Sequence, residues 1–147
     1  MKNVLILIVV LFGNYAYPTE NSKKEIISTS DAPEAIGPYS QAVRVGNTLY
    51  LSGQIAIDPI MGKLIQGSIE DQTHQVLKNI KAVLNATGFT LGDVVQSQVF
   101  LSDLNNYGAM NKIYASYFSI DPPARAAIQA ARLPLDALIE IMVIAVK

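Results

Sequence analysis

"LIEIMVIAV", residues 138–146, packs eight apolar residues around one glutamate, Glu140. A run this short, rich in β-branched residues, reads as a strand rather than a helix. Leu138, Met142, Ile144 and Val146 fall on one side of it and Ile139, Ile141, Val143 and Ala145 on the other. Both faces of the strand therefore need cover.

Upstream, "ARAAIQA" (124–130) reads as another strand, joined to the last through "ARLPLDA". Before it, "LNNYGAMNKIYASYF" (104–118) puts Met110, Ile113, Tyr114, Tyr117 and Phe118 on a helical stripe, which "DPP" ends because proline cannot continue the hydrogen-bond ladder. "DVVQSQVFLSD" (93–103) alternates, with Val95, Ser97 and Val99 expected on one side and Val94, Gln96, Gln98 and Phe100 on the other. In "SIEDQTHQVLKNIKAVLNATG" (68–88), Ser68 and Asp71 form a capping-box signature and Gly88 marks the end. Ile69, Thr73, Val76, Leu77, Ile80, Val83 and Leu84 recur there at helical spacing, so one stripe faces a core. "DPIMGK" (58–63) reads as a turn, "AVRVGNTLYLSGQIAI" (42–57) as two strand-like runs around Gly46-Asn47, and "EIISTS" (25–30) as a short strand. The order predicts an α+β fold with two helices on one face of a sheet. Two helices cover only one face, so the other is expected to pack against further copies of the chain in a cyclic homo-oligomer with clefts at its interfaces.

Half of the 147 residues are apolar and the net charge is -1, which suits one domain with a substantial core. No window combines basic residues with aromatics, so nucleic acid is not an expected partner. With no cysteine and a single histidine, His74, the chain has no thiolate nucleophile, no disulfide and no multi-Cys or multi-His zinc site. The N-terminus differs from the rest: one lysine precedes an unbroken apolar run from Val4 to Phe12, and a polar exit follows. Residues 1–20 read as a secretory signal peptide and polar spacer, too short in its apolar part to span a bilayer, and 21–147 as a single domain. Export to a periplasmic or secreted location follows, with no membrane association once the signal is cleaved. Without a working signal the protein would stay cytoplasmic.

"PPARAAIQAARLP" (122–134) places Arg125 and Arg132 in a run otherwise free of charge. A guanidinium fork matches a carboxylate bidentately, and Ala124, Ala126 and Ala127 leave room for a compact ligand. Arg125 could equally be a structural arginine paired with Glu140 or lie exposed at a strand edge. Glu140 itself, flanked by Ile139 and Ile141, should be either paired or functional, since an isolated buried carboxylate is costly. Burial would raise its pKa and a nearby Arg125 would lower it. Arg132 reads as a loop anchor, and His74 as a boundary residue beside the apolar stripe.

Four pieces in order, "AIGPYSQAV", "LYLSGQIAIDPIMGKL", "VFLSDLNNYGAMNKIY" and "PPARAAIQAARLPLDALIEIMVIAV", resemble the Rid family of reactive-intermediate deaminases, also called the YjgF family. The resemblance runs from about Ile26 to the C-terminus. It implies a chorismate-mutase-like α+β fold and a homotrimer with the second sheet face buried at the centre and a site at each subunit interface. It further implies metal- and cofactor-independent hydrolysis of small 2-imino and 2-enamino acids, such as 2-iminobutanoate and 2-iminopropanoate, to 2-keto acids and ammonia. By the same resemblance Glu140 would position the attacking water and move protons, and Arg125 would pair with the substrate carboxylate. Tyr39, Ser52, Gly53, Ala127 and Asn111 would border the substrate. On pattern alone, Tyr39 also reads as a packed tyrosine, Gly53 as a bulge and Asn111 as a solvated helix residue. Ala127 departs from relatives that carry cysteine there, so no thiol chemistry is open to this chain. The competing expectation is a non-catalytic, trimeric carboxylate-binding or interaction protein outside the cytoplasm.

Overall fold

The computed structural model describes residues 23–147, so the proposed signal peptide lies outside the described residues. In chain order the elements are β1 (Lys24–Ile27), β2 (Ala42–Val45), β3 (Thr48–Leu51), β4 (Ile57–Asp58), β5 (Lys63–Leu64), α1 (Ile69–Ala86), β6 (Val94–Leu101), α2 (Tyr107–Tyr117), β7 (Ala124–Gln129) and β8 (Ile139–Val146). Six strands form one mixed sheet in the order β1-β2-β3-β8-β6-β7. The two-faced strand read from sequence, β8, sits in its interior. Every pairing is antiparallel except β6 with β7, whose parallel connection requires a crossover, and α2 is that crossover.

α1 begins as its sequence dictates. The Ser68 hydroxyl accepts from the Asp71 amide (3.2 Å) and the Asp71 carboxylate from the Ser68 amide (3.0 Å), which holds the Asp71 carboxyl below its ordinary range. The helix ends at Thr87, and Gly88 takes the left-handed φ of 77° that glycine tolerates without strain. All seven residues of the expected stripe are buried. All of them but Thr73, with Met110, Tyr114 and Phe118 from α2 and its end and Ile139, Ile141, Val143 and Ala145 from β8, make one core on the helix-covered face.

Two buried polar residues of α1 were not singled out by the apolar periodicity. Asn79 donates to the carbonyls of Ile55 (3.2 Å) and Ile57 (2.9 Å), and Gln72 donates to Ile65 O (3.2 Å) while accepting from the Leu138 amide (2.9 Å). Each satisfies irregular backbone that would otherwise be buried unpaired. Together they fasten the β4–β5 ribbon and the entry to β8 onto α1.

Three local expectations need correction. The segment read only as a turn, "DPIMGK", is the tip of a small ribbon in which Ile57 and Asp58 of β4 pair with Leu64 and Lys63 of β5. In β6 the register shifts between Val94 and Gln96. This bulge puts Val94 with Ser97, Val99 and Leu101 on the buried side and leaves Val95 48% exposed, because one extra residue reverses the alternation. Leu138 lies one residue before β8 and packs against the helix-side core, not on the free face.

Most of the helix-free face of the sheet is uncovered by the described residues, apart from the Phe100 end, which packs against Ile55, Ile57 and Leu133. Cross-strand register aligns Ile26, Val43, Tyr50, Ile144, Gln96 and Ala124 across it, with Met142, Phe100 and Ile128 on the same side. Ile26, Tyr50 and Ile128 are exposed there, an apolar surface that a lone protomer would present to water.

Candidate functional site

Glu140, Ser52, Gly53 and Tyr39 converge on one cavity of about 400 Å³, walled also by Gln54, Ile36 and Pro134. The convergence comes from backbone pairing. After β3 ends, Gln54 N donates to Ile141 O (2.9 Å) and Ile141 N to Gln54 O (3.0 Å), so Gly53 is held beside Glu140. The Glu140 carboxyl lies over the space that a side chain at 53 would fill: a Cβ there would collide with Glu140 Oε1 and sit 2.8 Å from its Cδ. Gly53 is thus a matter of room for the carboxylate, not of a bulge. The Ser52 hydroxyl donates to Ser40 O (2.7 Å), which leaves its lone pairs for a ligand.

The loop carrying Tyr39 is organised by Gln41, a buried residue that the sequence reading contained only as part of "GPYSQA". Its side-chain oxygen accepts from the Thr29 amide (2.6 Å), and its amide nitrogen donates to the carbonyls of Thr29 (3.0 Å) and Pro33 (2.7 Å). The Tyr39 hydroxyl in turn accepts from the Ile36 amide (3.2 Å), closing the loop over the cavity mouth. Glu140 is half-buried, and burial alone pushes its carboxyl above the ordinary carboxylate range.

Arg125, Ala127 and Asn111 belong to a second constellation. Arg125 is in register with Ser97, and Ser97 with Val143, on the helix-covered side; Glu140 is in register with Phe100 on the other. β6 lies between them, and the two side chains leave the sheet on opposite faces. An ion pair between Arg125 and Glu140 within one chain, which the sequence left open, is not formed, and Arg125 does not lower the Glu140 pKa.

Arg125 instead meets α2. Its guanidinium lies over the Tyr114 ring, with Cζ 4.5 Å from the centroid, and its Nη2 donates to the Tyr107 hydroxyl (3.0 Å). Tyr107, Asn111 and Tyr114 follow one another at i, i+4 and i+7, so one helix face looks across at β7. The amide of Asn111 first, then the charge of Arg125 and its hydrogen bond, hold the Tyr107 phenol below its ordinary pKa. The Tyr114 hydroxyl is buried without a hydrogen-bond partner, so Tyr114 serves Arg125 through its ring. Ala127 pairs with Val99 and packs beside this group. Tyr107 carried no signal in the sequence beyond its spacing to Asn111; Tyr114 was read only as core.

Arg132 binds Asp136 through two hydrogen bonds (2.7 and 3.0 Å) at an exposed loop, the anchor expected of it. His74 Nδ1 lies 3.1 Å from the Tyr117 hydroxyl between the two helices. Among the described residues no group of three or more His, Cys, Asp or Glu side chains could hold a metal.

The arrangement is two separate groups on opposite faces of the sheet. One presents a fixed cation with no acid opposite it among the described residues; the other presents a desolvated carboxylate in a cavity with no cation. The family model described as endoribonuclease L-PSP matches residues 29–147. A RutC family protein of Pyrococcus horikoshii is 53% identical over 124 residues, covering 84% of this chain and 98% of that protein. The 2-iminobutanoate/2-iminopropanoate deaminase of Mus musculus is 47% identical over 124 residues, 84% of this chain and 92% of the mouse protein. Among solved structures, E. coli TdcF with bound serine superposes with a TM-score of 0.81 at 40% identity, covering 84% of this chain and 98% of TdcF. The likeness agrees with the α+β arrangement expected, a mixed sheet with two helices.

Proposed function

The chain belongs to the YjgF/Rid family, the endoribonuclease L-PSP family of the matching model, and from that premise we propose that it hydrolyses small 2-imino and 2-enamino acids to 2-keto acids and ammonia. The observation that carries the reading is the pair of half-sites. A protonated 2-imino acid has a carboxylate and, one bond away, an electrophilic C2 that water must attack. It needs a cationic fork and a base at once, and this chain holds one of each, unpaired. The mouse relative is named for 2-iminobutanoate and 2-iminopropanoate, and TdcF binds serine, a molecule of the same small size and charge pattern.

Because Arg125 and Glu140 leave opposite faces of the sheet, the working site requires Arg125 of one protomer and Glu140 of another. The uncovered apolar face supports such an assembly, and a cyclic trimer would repeat the same junction at each interface. Arg125, with Asn111 and Ala127 beside it, holds the substrate carboxylate. Glu140 takes a proton from water as the oxygen adds to C2, giving a tetrahedral carbinolamine. It then returns that proton to nitrogen and takes the remaining hydroxyl proton as the C–N bond breaks; ammonia leaves, the oxygen from water remains as the keto oxygen, and the last proton passes to the ammonia as ammonium. The hydroxyls of Ser52 and Tyr39 border the nitrogen and the new oxygen.

The test is to generate 2-iminobutanoate from threonine with a dehydratase and follow its loss. Acceleration above the spontaneous rate is expected; a rate equal to the spontaneous one, with 2-keto acid still bound, would instead favour a non-catalytic carboxylate-binding protein. The 11 Lys and Arg of this chain are offset by 12 Asp and Glu, so it carries no basic excess for a nucleic-acid backbone.

Assembly and activity should fail together. Met142→Glu places a charge in the middle of the uncovered face, and light scattering should find smaller species with little turnover. Full activity from a monomer would overturn the shared site. Export is proposed on the apolar run Val4 to Phe12 alone. N-terminal sequencing from the native cell should find the mature chain beginning after about residue 16, and an intact Met1 in the cytoplasm would refute it.

A further inference from the structure

Arg125 sits on β7, the edge strand of the sheet, where a long side chain would ordinarily sample many rotamers in solvent. Here it is gripped from two directions. The Tyr114 ring supports the flat face of the guanidinium at 4.5 Å, and the Tyr107 hydroxyl accepts from Nη2 at 3.0 Å. We propose that Tyr107 is a positioning residue that, with Tyr114 beneath, fixes the Arg125 fork in the orientation that receives the substrate carboxylate. The proposal rests on the reading of Arg125 as the carboxylate-binding residue.

The division of labour follows from chemistry. An aromatic face restrains tilt but leaves a planar cation free to slide and turn in its own plane. A hydrogen bond at one corner removes that freedom. A guanidinium has five N–H groups, and Tyr107 takes one, so enough remain for a bidentate carboxylate. A neutral hydroxyl is also the right partner here. A carboxylate at position 107 would compete with the substrate for the fork, whereas a phenol holds it without neutralising it. The acceptor role agrees with the environment of the phenol, in which the Asn111 amide and the Arg125 charge both favour electron density on oxygen. Tyr107 stands at the start of α2, so the loop from Asp103, whose carboxylate caps the Leu104–Asn106 turn, sets its height over β7.

Tyr107→Phe keeps the ring and removes only the hydroxyl at a partly exposed position, so the melting temperature should be unchanged. With 2-oxobutanoate as probe, calorimetric affinity of the full chain should weaken about five- to tenfold, and KM should rise by more than kcat falls. In an Arg125→Ala background the same substitution should have no further effect on affinity, because its action passes through the guanidinium. A readout independent of any ligand is the ¹⁵N guanidinium spectrum. Arg125, identified by its loss in Arg125→Ala, should give separate Nη signals in the wild type and averaged ones in Tyr107→Phe. If the wild type neither accelerates imine hydrolysis nor binds 2-oxobutanoate, the deaminase reading fails, and this spectrum still decides the clamp. Unchanged Arg125 signals in Tyr107→Phe, or an equal loss of affinity in the Arg125→Ala background, would overturn the proposal.

Discussion

Glu140→Gln protein is expected to turn over 2-iminobutanoate at least about a hundredfold more slowly than wild type while binding 2-oxobutanoate about as well. Glutamine fills nearly the same volume above Gly53, so the cavity and the Gln54–Ile141 pairing should survive the change. What it cannot do is take the proton from water, and that transfer is required only in the chemical step. The pH dependence follows from the same side chain. Burial raises the Glu140 carboxyl above the ordinary carboxylate range, and a general base works only when ionised. Activity should therefore be lost as pH falls through that raised value, at a pH higher than an exposed glutamate would give. Glu140→Gln should abolish this acid limb along with the rate. Full turnover in Glu140→Gln, or an unchanged acid limb, would remove Glu140 from the proton-transfer role.

Arg125→Lys should fail differently. The ammonium keeps the charge but is a point donor on a flexible stem, and it can neither lie flat on Tyr114 while reaching the Tyr107 hydroxyl nor offer a fork to the carboxylate. A loss of about 1 to 3 kcal/mol in kcat/KM is expected, roughly fivefold to 150-fold, with a clear rise in KM and weaker 2-oxobutanoate binding. Steady-state kinetics with product titration separates this from the Glu140→Gln pattern. Equal kcat/KM for Arg125→Lys and wild type would mean that the substrate carboxylate is held elsewhere.

The contrast between what the sequence carried and what it concealed has a physical basis. α1 was legible to its caps because capping and amphipathic spacing are local: Ser68, Asp71, Gly88 and the stripe from Ile69 to Leu84 interact within a few turns. β8 was legible because both of its faces are apolar, which is what an interior strand demands. The β6 bulge was not, since a one-residue insertion is defined only against the partner strand, and Val95 looks like any alternating valine until Ala145 and Ile144 are set opposite. Asn79, Gln72 and Gln41 escaped for a related reason. They are polar residues whose burial is justified by carbonyls far away in sequence, which no periodicity reports. The family motif named Arg125 and Glu140 but not the faces of the sheet from which they project. That Arg125 and Glu140 face opposite ways depends on β7 and β8 flanking β6 in a particular register, and Tyr107 became visible only once α2 was laid across β7.

Subunit complementation tests the central claim, a site shared between protomers, most directly. Arg125→Ala and Glu140→Gln chains, each inactive alone, would be co-expressed with different tags and the doubly tagged assemblies purified and assayed. Each mutant contributes the half-site that the other lacks, so a junction with Arg125 from one chain and Glu140 from the other is intact. In a closed trimer that holds both chains, one junction in three is of this kind, and the doubly tagged assemblies should recover about a third of wild-type activity. Assemblies that demonstrably contain both chains yet remain as inactive as either parent would contradict the shared site.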